Sequence, residues 1–405
     1  MLTAVIFGGE HFLFLFPKGN NFMESKSDRR KRNLIFYLAS SFCTTMNFAM
    51  WRSVYNNFLH DRFSVTESQR GYLSAIREIP GLVTAVSAAG ATSVAESSVG
   101  AVYILISALG TLAFVFAGQY WSLIFALILM SSGVHLLMPI RSSISLSLGK
   151  EGSKAKLLGL VGSIGAVASL AGSGFVFLAV EKLEYNGIFI TGAIVAAVGM
   201  IAMLFVRMEK SERRRNRFAV KKKYNLYYAL SFLDACRRHI FITFASYGLV
   251  KIHGISPRTM AILIFINNAA NIYTRQRIGH LIDRYGERKA LIFNYTVLIF
   301  IFMGYGYISH VPVLYVLYCL DNILFGFSVA RTTYLDKIAP REDVTASIAF
   351  GVTLNHISAV TLVPLSGILW ERYGYETPFL VGVGILILSL IASNRIKTGE
   401  TEHKS

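Results

Sequence analysis

The chain has 405 residues, 54% of them hydrophobic and only 16% charged, with a formal net charge of +17 and a mean hydropathy of +0.50. Soluble domains carry about 25% charged residues, so an ordinary soluble protein is excluded. The basic residues sit in short segments between apolar runs, which points to membrane orientation rather than nucleic acid.

Residues 1–32 read as an N-terminal tail. The apolar run Phe12 to Phe16 is too short to span a bilayer and has no basic region before it. Met23 opens a polar, basic stretch, so residues 1–22 are expected not to be native. Apolar runs long enough for membrane helices follow near 34–58, 70–90, 98–116, 122–145, 156–180 and 186–206, then near 226–249, 259–279, 288–308, 312–334, 345–369 and 376–394. A β-barrel would show alternating segments of about ten residues instead. The expected fold is an all-α membrane protein: twelve transmembrane helices in two pseudo-symmetric six-helix bundles, 33–206 and 226–395, with a basic linker at 207–225 and a tail at 396–405. Cys43, Cys236 and Cys319 lie inside apolar runs at spacings that make neither a disulfide framework nor a zinc site.

Topology follows from Lys and Arg. The tail holds Lys26, Arg29, Arg30, Lys31 and Arg32; the linker runs from Arg207 to Lys223; the turn after the eighth span holds Arg284, Arg288 and Lys289. With twelve spans all three fall on one side, which the positive-inside rule makes cytoplasmic. The expected location is the cell (inner) membrane, multi-pass, with both termini in the cytoplasm. The linker reads as a solvated tether, with an anionic-lipid contact as the other option.

A shift of 190 residues aligns the two halves without gaps. Tyr37, Ala39, Ser41 and Phe42 match Tyr227, Ala229, Ser231 and Phe232; Arg141 matches Arg331; Glu181, Tyr185, Phe189 and Gly192 match Glu371, Tyr375, Phe379 and Gly382. An even number of spans per repeat makes it a parallel repeat about an axis along the membrane normal.

Between the eighth and ninth spans stands Gly279-His-Leu-Ile-Asp283-Arg284-Tyr-Gly286-Glu-Arg288-Lys289, and Arg331 precedes a charged Ala-Pro-Arg-Glu-Asp turn ending at Asp343. With the repeat and the span count, these make the chain similar to the major facilitator superfamily of transporters over roughly residues 30 to 395. The resemblance implies that Gly279, Asp283, Arg284, Gly286 and Arg288 brace a cytoplasmic gate, meeting the start of the fifth span near Lys154 to Leu158, and that Arg141 and Arg331 pair within it. The first half departs from the pattern: Val94 stands where Asp283 stands, and no basic pair follows.

Charged side chains in hydrocarbon are costly and face a cavity or a partner. Arg77 and Glu78 lie mid-depth in the second span and, as helix neighbours, need not pair with each other. In the seventh span Asp234 shares a face with Arg238, four residues on, and Arg237 is three away. Asn267, Asn271 and Arg275 form a polar stripe expected to face a cavity. Asp321 lies in the tenth span, Asn355 and His356 in the eleventh, and Arg52 in the first. His135 and His356 read first as packing residues. Arginines outnumber acids, and a guanidinium binds carboxylate or phosphate in a bidentate fork. The expected cargo is therefore a small anionic or zwitterionic solute, with Glu78, Asp234 or Asp321 carrying a coupling proton.

The remaining alternatives are efflux of drugs or metabolites and a transporter-derived sensor. No phosphate-binding Gly-x4-Gly-Lys-Ser/Thr motif or zinc-enzyme motif stands in the chain. The chain is expected to be no enzyme, to use no cofactor or metal, to bind no nucleic acid, and to act as a monomer whose partners are solute, lipid and proton.

Overall fold

A computed structural model describes residues 26–87, 95–149, 154–208 and 220–396. The segment 1–22, most of the linker, the tail beyond 396 and the first-half departure at Val94 lie outside them. Among the described residues, seven helices are long and apolar enough to cross a membrane. Two of these are double. Lys154–Leu204 breaks at Glu184 to give the fifth and sixth spans, and Pro257–Tyr307 breaks at Gly286 to give the eighth and ninth. Lys26–Phe63, Glu96–Ala113, Tyr120–Leu148 and Arg341–Tyr373 are the first, third, fourth and eleventh spans; the tenth runs from Val311–Leu324 through a 3-10 turn into Val329–Ile338.

Three further helices complete twelve spans. Thr377–Ser393, the twelfth, is apolar but short. Glu67–Ser87, the second, carries Arg70, Arg77 and Glu78. Asn225–Ile240, the seventh, carries Asp234, Arg237 and Arg238 and continues through the π-turn Phe241–Ala245 into Ser246–Lys251. The two spans richest in buried charge are thus the two whose hydropathy is spoiled by it. Elsewhere the outward stripes are apolar. Val102, Leu105 and Leu109 on the third span, and Ile194, Val198 and Ile201 on the sixth, stay exposed at helical spacing, as lipid requires.

Alternation of direction puts Leu148, Gly286, Ile338 and the residues flanking the linker at one end of the bundle, here the linker end. The turns near 64, 184, 254 and 374 lie at the other, the far end. The repeat extends to backbone conformation there. Ser64 and Gly254, 190 apart, have φ of 45° and 63° and close their turns with the same two hydrogen bonds: 64 to 60 and 65 to 59, 254 to 250 and 255 to 249. Glu184 and Gly374, again 190 apart, both take positive φ.

The halves meet at the far end through pairs that repeat about the axis. Asn56 donates to its own equivalent, Ser246, at 2.8 Å. Asn57 donates to the carbonyl of Ile255 at 2.6 Å, and its equivalent Tyr247 donates to the carbonyl of Val65. Glu371 accepts from Ser68 at 3.1 Å, and its equivalent Glu181 pairs with Arg258 at 2.9 Å. Glu181 and Glu371, matched in the repeat, thus each reach the opposite half. Lys251 pairs with Glu67 at 2.9 Å. One buried apolar cluster, including Trp51, Phe58, Val65, Phe244 and Tyr247, runs through both halves. A second, around Tyr37, Ile104, Leu137 and Met203, belongs to the first half alone.

The linker end is built differently. There Arg30 donates to the terminal carbonyl of Leu148 at 2.9 Å, and Asn33 clips the backbone of Arg207, both within the first half. Lys221 and Lys223 pair with Asp343 at 2.6 and 3.2 Å, so the described end of the linker is docked rather than a free tether. A Cβ at Gly159, Gly162, Gly165 or Gly279 would meet nothing within 4 Å. Among the described residues, the polar contacts between the halves named above lie at the far end.

At Gly254 the surroundings are empty, so Gly254→Ala tests the turn's backbone alone. An alanine there should cost about 1–2 kcal/mol, read as a lower thermal unfolding midpoint in detergent. Ser64→Gly, which relieves the same conformation in the first half, should not lower it.

Candidate functional site

Two charged clusters occupy mid-depth. The first lies inside the second half. Arg237 donates through Nε to Asp234 at 3.0 Å and through Nη1 to Asp321 at 2.9 Å. Arg331 pairs with the other oxygen of Asp234 at 2.6 Å. All are buried or nearly so. The partner of Asp234 on its own helix is therefore Arg237 and not Arg238: both share its face, but only the i+3 side chain turns inward to bridge both acids. Arg331 likewise sits in this network rather than in a gate between halves. Its equivalent Arg141 has Thr44 where Asp234 would stand; the Arg141 carbonyl accepts from Tyr37 at 2.8 Å.

The π-turn Phe241–Ala245 and the 3-10 turn Phe325–Ser328 depart from α geometry directly beside this network. π-turns inside helices are frequent at functional sites.

Arg238 is freed by this arrangement. Its guanidinium lies over the ring of Phe325, and its buried Nη1 has no hydrogen-bond partner. It lines a cavity of about 340 Å³ with Tyr227, Ser231, Asp234, Arg331 and Asn355, among others. Arg52, across in the first span, is exposed and lies close to Tyr318.

The second cluster joins the halves. Arg77 turns back on its neighbour Glu78, with Nε and Nη2 at 3.2 and 2.9 Å from Oε1, so this adjacent pair does form. The other oxygen, Oε2, lies 2.9 Å from His356 Nδ1 and 3.6 Å from His135 Nε2. His239, buried with neither ring nitrogen hydrogen-bonded, is close enough to interact with the charge of Glu78.

The polar stripe of the eighth span is not part of the cavity wall. Asn267 is buried with neither amide atom hydrogen-bonded, Asn271 donates to the Asn267 carbonyl at 2.9 Å, and Arg275 is exposed. At the turn signature, Gly286 takes φ 79° and ψ 159°, a conformation that needs glycine. Asp283 is exposed, Arg284 lies over Tyr285, and Arg288 reaches Asn394 of the twelfth span at 3.4 Å.

The sequence reading took His135 for a packing residue, noted Arg237 only beside Asp234, and passed over His239 and Arg70. Arg70 is buried at the far end, bonded to Asn56 at 3.1 Å and lying over Tyr55 and Tyr247. The 190-residue offset carried a signal for two of them, since Phe325 replaces His135 and Asn47 replaces Arg237.

The family model of the Major Facilitator Superfamily matches residues 37–329 and 227–403. The fold is similar to a nucleoside transporter, NupG, with 14% identity and a TM-score of 0.73 over 90% of this chain and 98% of that one. It is similar to a bacterial homolog of the human lysosomal transporter Spinster in an inward-facing, unoccupied conformation, with 13% identity and a TM-score of 0.71 over 92% and 98%. A third is an auto-inhibited POT family peptide transporter, with 10% identity and a TM-score of 0.71 over 92% and 99%. At such identities the likeness shows the fold alone. No curated protein sequence matches the chain.

Removing one member of a buried ion network strands the others. Asp234→Asn should destabilise the protein by about 3–5 kcal/mol, whereas Arg141→Gln, in the half without the equivalent acid, should cost less than about 1 kcal/mol. Thermal unfolding of the two variants in detergent checks the contrast.

Proposed function

Because the chain belongs to the Major Facilitator Superfamily and is a multi-pass membrane transporter, we propose that it is a secondary transporter of a small anionic or zwitterionic solute, working by alternating access and coupled to protons. The observation that carries this reading is Arg238. A guanidinium whose buried Nη1 lacks a hydrogen-bond partner beside a cavity is costly, and a carboxylate or phosphate of the solute supplies the missing partner with two parallel hydrogen bonds. The surroundings are cationic: Arg52, Arg77, Arg237, Arg238 and Arg331 face only Glu78, Asp234 and Asp321. Tyr227, Ser231 and Asn355 give the solute neutral hydrogen-bonding groups on the same wall.

In this proposal the linker end faces the cytoplasm, because the basic tail and linker lie there, and the structure is the inward-open state. Asp321 is the proton carrier. It has one arginine contact, to an Arg237 that also serves Asp234, so its charge is the less firmly held of the two.

Proteoliposome uptake under an imposed pH gradient tests both assignments. Charge-assisted hydrogen bonds contribute about 1.5–3 kcal/mol, so Arg238→Gln should lower anion uptake roughly tenfold to a hundredfold, with Arg238→Lys in between. Unchanged uptake in Arg238→Gln and Arg77→Gln would sink the anion site. Asp321→Asn should abolish gradient-driven accumulation while leaving solute exchange across the membrane; accumulation that persists would remove Asp321 from the coupling step.

A further inference from the structure

Glu78, His135 and His356 each bring one donor atom to a common point, with all three within 4.8 Å of one another. We propose that they form a binding site for a divalent transition-metal ion of the Zn²⁺ type, and that the ion, held by both halves, locks the far-end-closed state.

Ser131 orients the ring of His135. Its hydroxyl donates to the backbone carbonyl of Arg77, so toward His135 Nδ1, 3.0 Å away, it can only accept. The Ser131 carbonyl, also 3.0 Å from Nδ1, accepts by nature. Nδ1 of His135 therefore carries a proton, and Nε2 is the nitrogen turned toward Glu78 Oε2, 3.6 Å away. Metal–nitrogen and metal–oxygen bonds of about 2.0–2.2 Å at a tetrahedral angle separate two ligand atoms by about 3.4 Å. The spacing fits that geometry. A histidine whose second nitrogen donates to a backbone carbonyl is also the usual arrangement around a bound metal.

His356 supplies the third donor from the eleventh span. Its Nδ1 now bonds Oε2 at 2.9 Å; on binding the ion it keeps its proton on Nε2 instead. The two imidazole rings stand 5.4 Å apart and steeply inclined, and a Cβ at Gly81 would overlap ring atoms of both, so this glycine clears their space. His239, buried and unbonded nearby, is the next imidazole available. The side chains of Glu78, His135 and His356 keep about a tenth of their surface exposed, and Asn355, next to His356, lies on the cavity wall. The ion reaches the site from that cavity.

The donor set also selects the ion. Arg77 occupies Oε1 and balances the carboxylate charge, leaving one oxygen and two imidazoles. Magnesium and calcium need several oxygen ligands, while imidazole suits zinc, cobalt and nickel. Nor is the cluster part of the repeated scaffold: Asn268, Phe325 and Ala166 stand at the equivalent positions.

The test titrates the purified full-length protein in detergent with Co²⁺, whose visible d–d absorption reports imidazole-containing coordination, followed by competition with Zn²⁺. One Co²⁺ per chain, displaced by Zn²⁺ and not by Mg²⁺, is expected. His135→Gln and His356→Gln should each weaken binding roughly tenfold or more, while His280→Gln, on the exposed turn signature, should not. Absence of the absorption in folded protein, or equal binding in the two cluster variants, would overturn the proposal. Should those variants fail to fold, the unaltered protein decides. Zn²⁺ should protect His135 and His356 from acylation by diethylpyrocarbonate, mapped by mass spectrometry, and labelling of both that is unchanged by Zn²⁺ would refute the site. None of these readouts measures solute flux, so they stand or fall apart from the anion assignment.

Discussion

Asn57 and Tyr247 occupy equivalent positions, and each donates to the carbonyl of the residue that follows the other half's positive-φ turn. That reciprocal bond fixes where the pseudo-two-fold axis crosses the far end. It works only because both turns have the same conformation, Ser64 tolerating what Gly254 adopts freely. Once the axis is pinned there, Asn56 meets its own image in Ser246, and the two glutamates at 181 and 371 each find a partner across the interface.

Within that symmetric frame the electrostatics are one-sided. The second half buries Asp234, Arg237, Asp321 and Arg331 as a neutral set and adds Arg238. At the corresponding positions the first half has Thr44, Asn47, Ser131, Arg141 and Phe48. The first half keeps its own pair, Arg77 and Glu78, opposite Asn267 and Asn268. A repeat conserves packing because both halves must fill a similar volume, but it has no reason to conserve a charge that serves one cargo. The offset fails at most of these charged positions.

The spans were legible because long apolar runs leave little choice between helix and other structure in a bilayer. The repeat was legible because no gap interrupts it. What stayed hidden has specific causes. Arg237 and Arg238 lie on one side of their helix relative to Asp234, and only the position of Asp321, on another span, decides between them. The cross-half partners of Glu181 and Glu371 were not legible because sequence does not say which helix ends meet across the halves. Glu78 and His356 are 278 residues apart, and no local pattern announces their meeting. The stripe at Asn267, Asn271 and Arg275 was correctly periodic, yet periodicity gives a face and not the neighbour of that face.

The distribution of these charges bears on how the two halves could move. A buried ion left without its partner costs several kcal/mol, so a rocking interface must not separate buried ion pairs. Here it does not. The four-membered network lies wholly within the second half, and Arg77 stays with Glu78 in the first. Charge pairs that cross between halves, Lys251 with Glu67 and Arg258 with Glu181, lie at the far end with side chains partly open to solvent, where water replaces a lost partner and the net interaction is worth at most about 1 kcal/mol. At mid-depth the crossing contacts among the described residues include Ser74 with Thr243, Arg52 beside Tyr318 and the bond from His356 to Glu78. Breaking the last leaves a carboxylate still held by Arg77, next to His135. Glu78 is thus compensated from its own side, and an added cation at that point would be held from both. Opening the far end would then require releasing the ion, whereas without it the transition breaks only neutral hydrogen bonds, the histidine contact and solvent-exposed pairs.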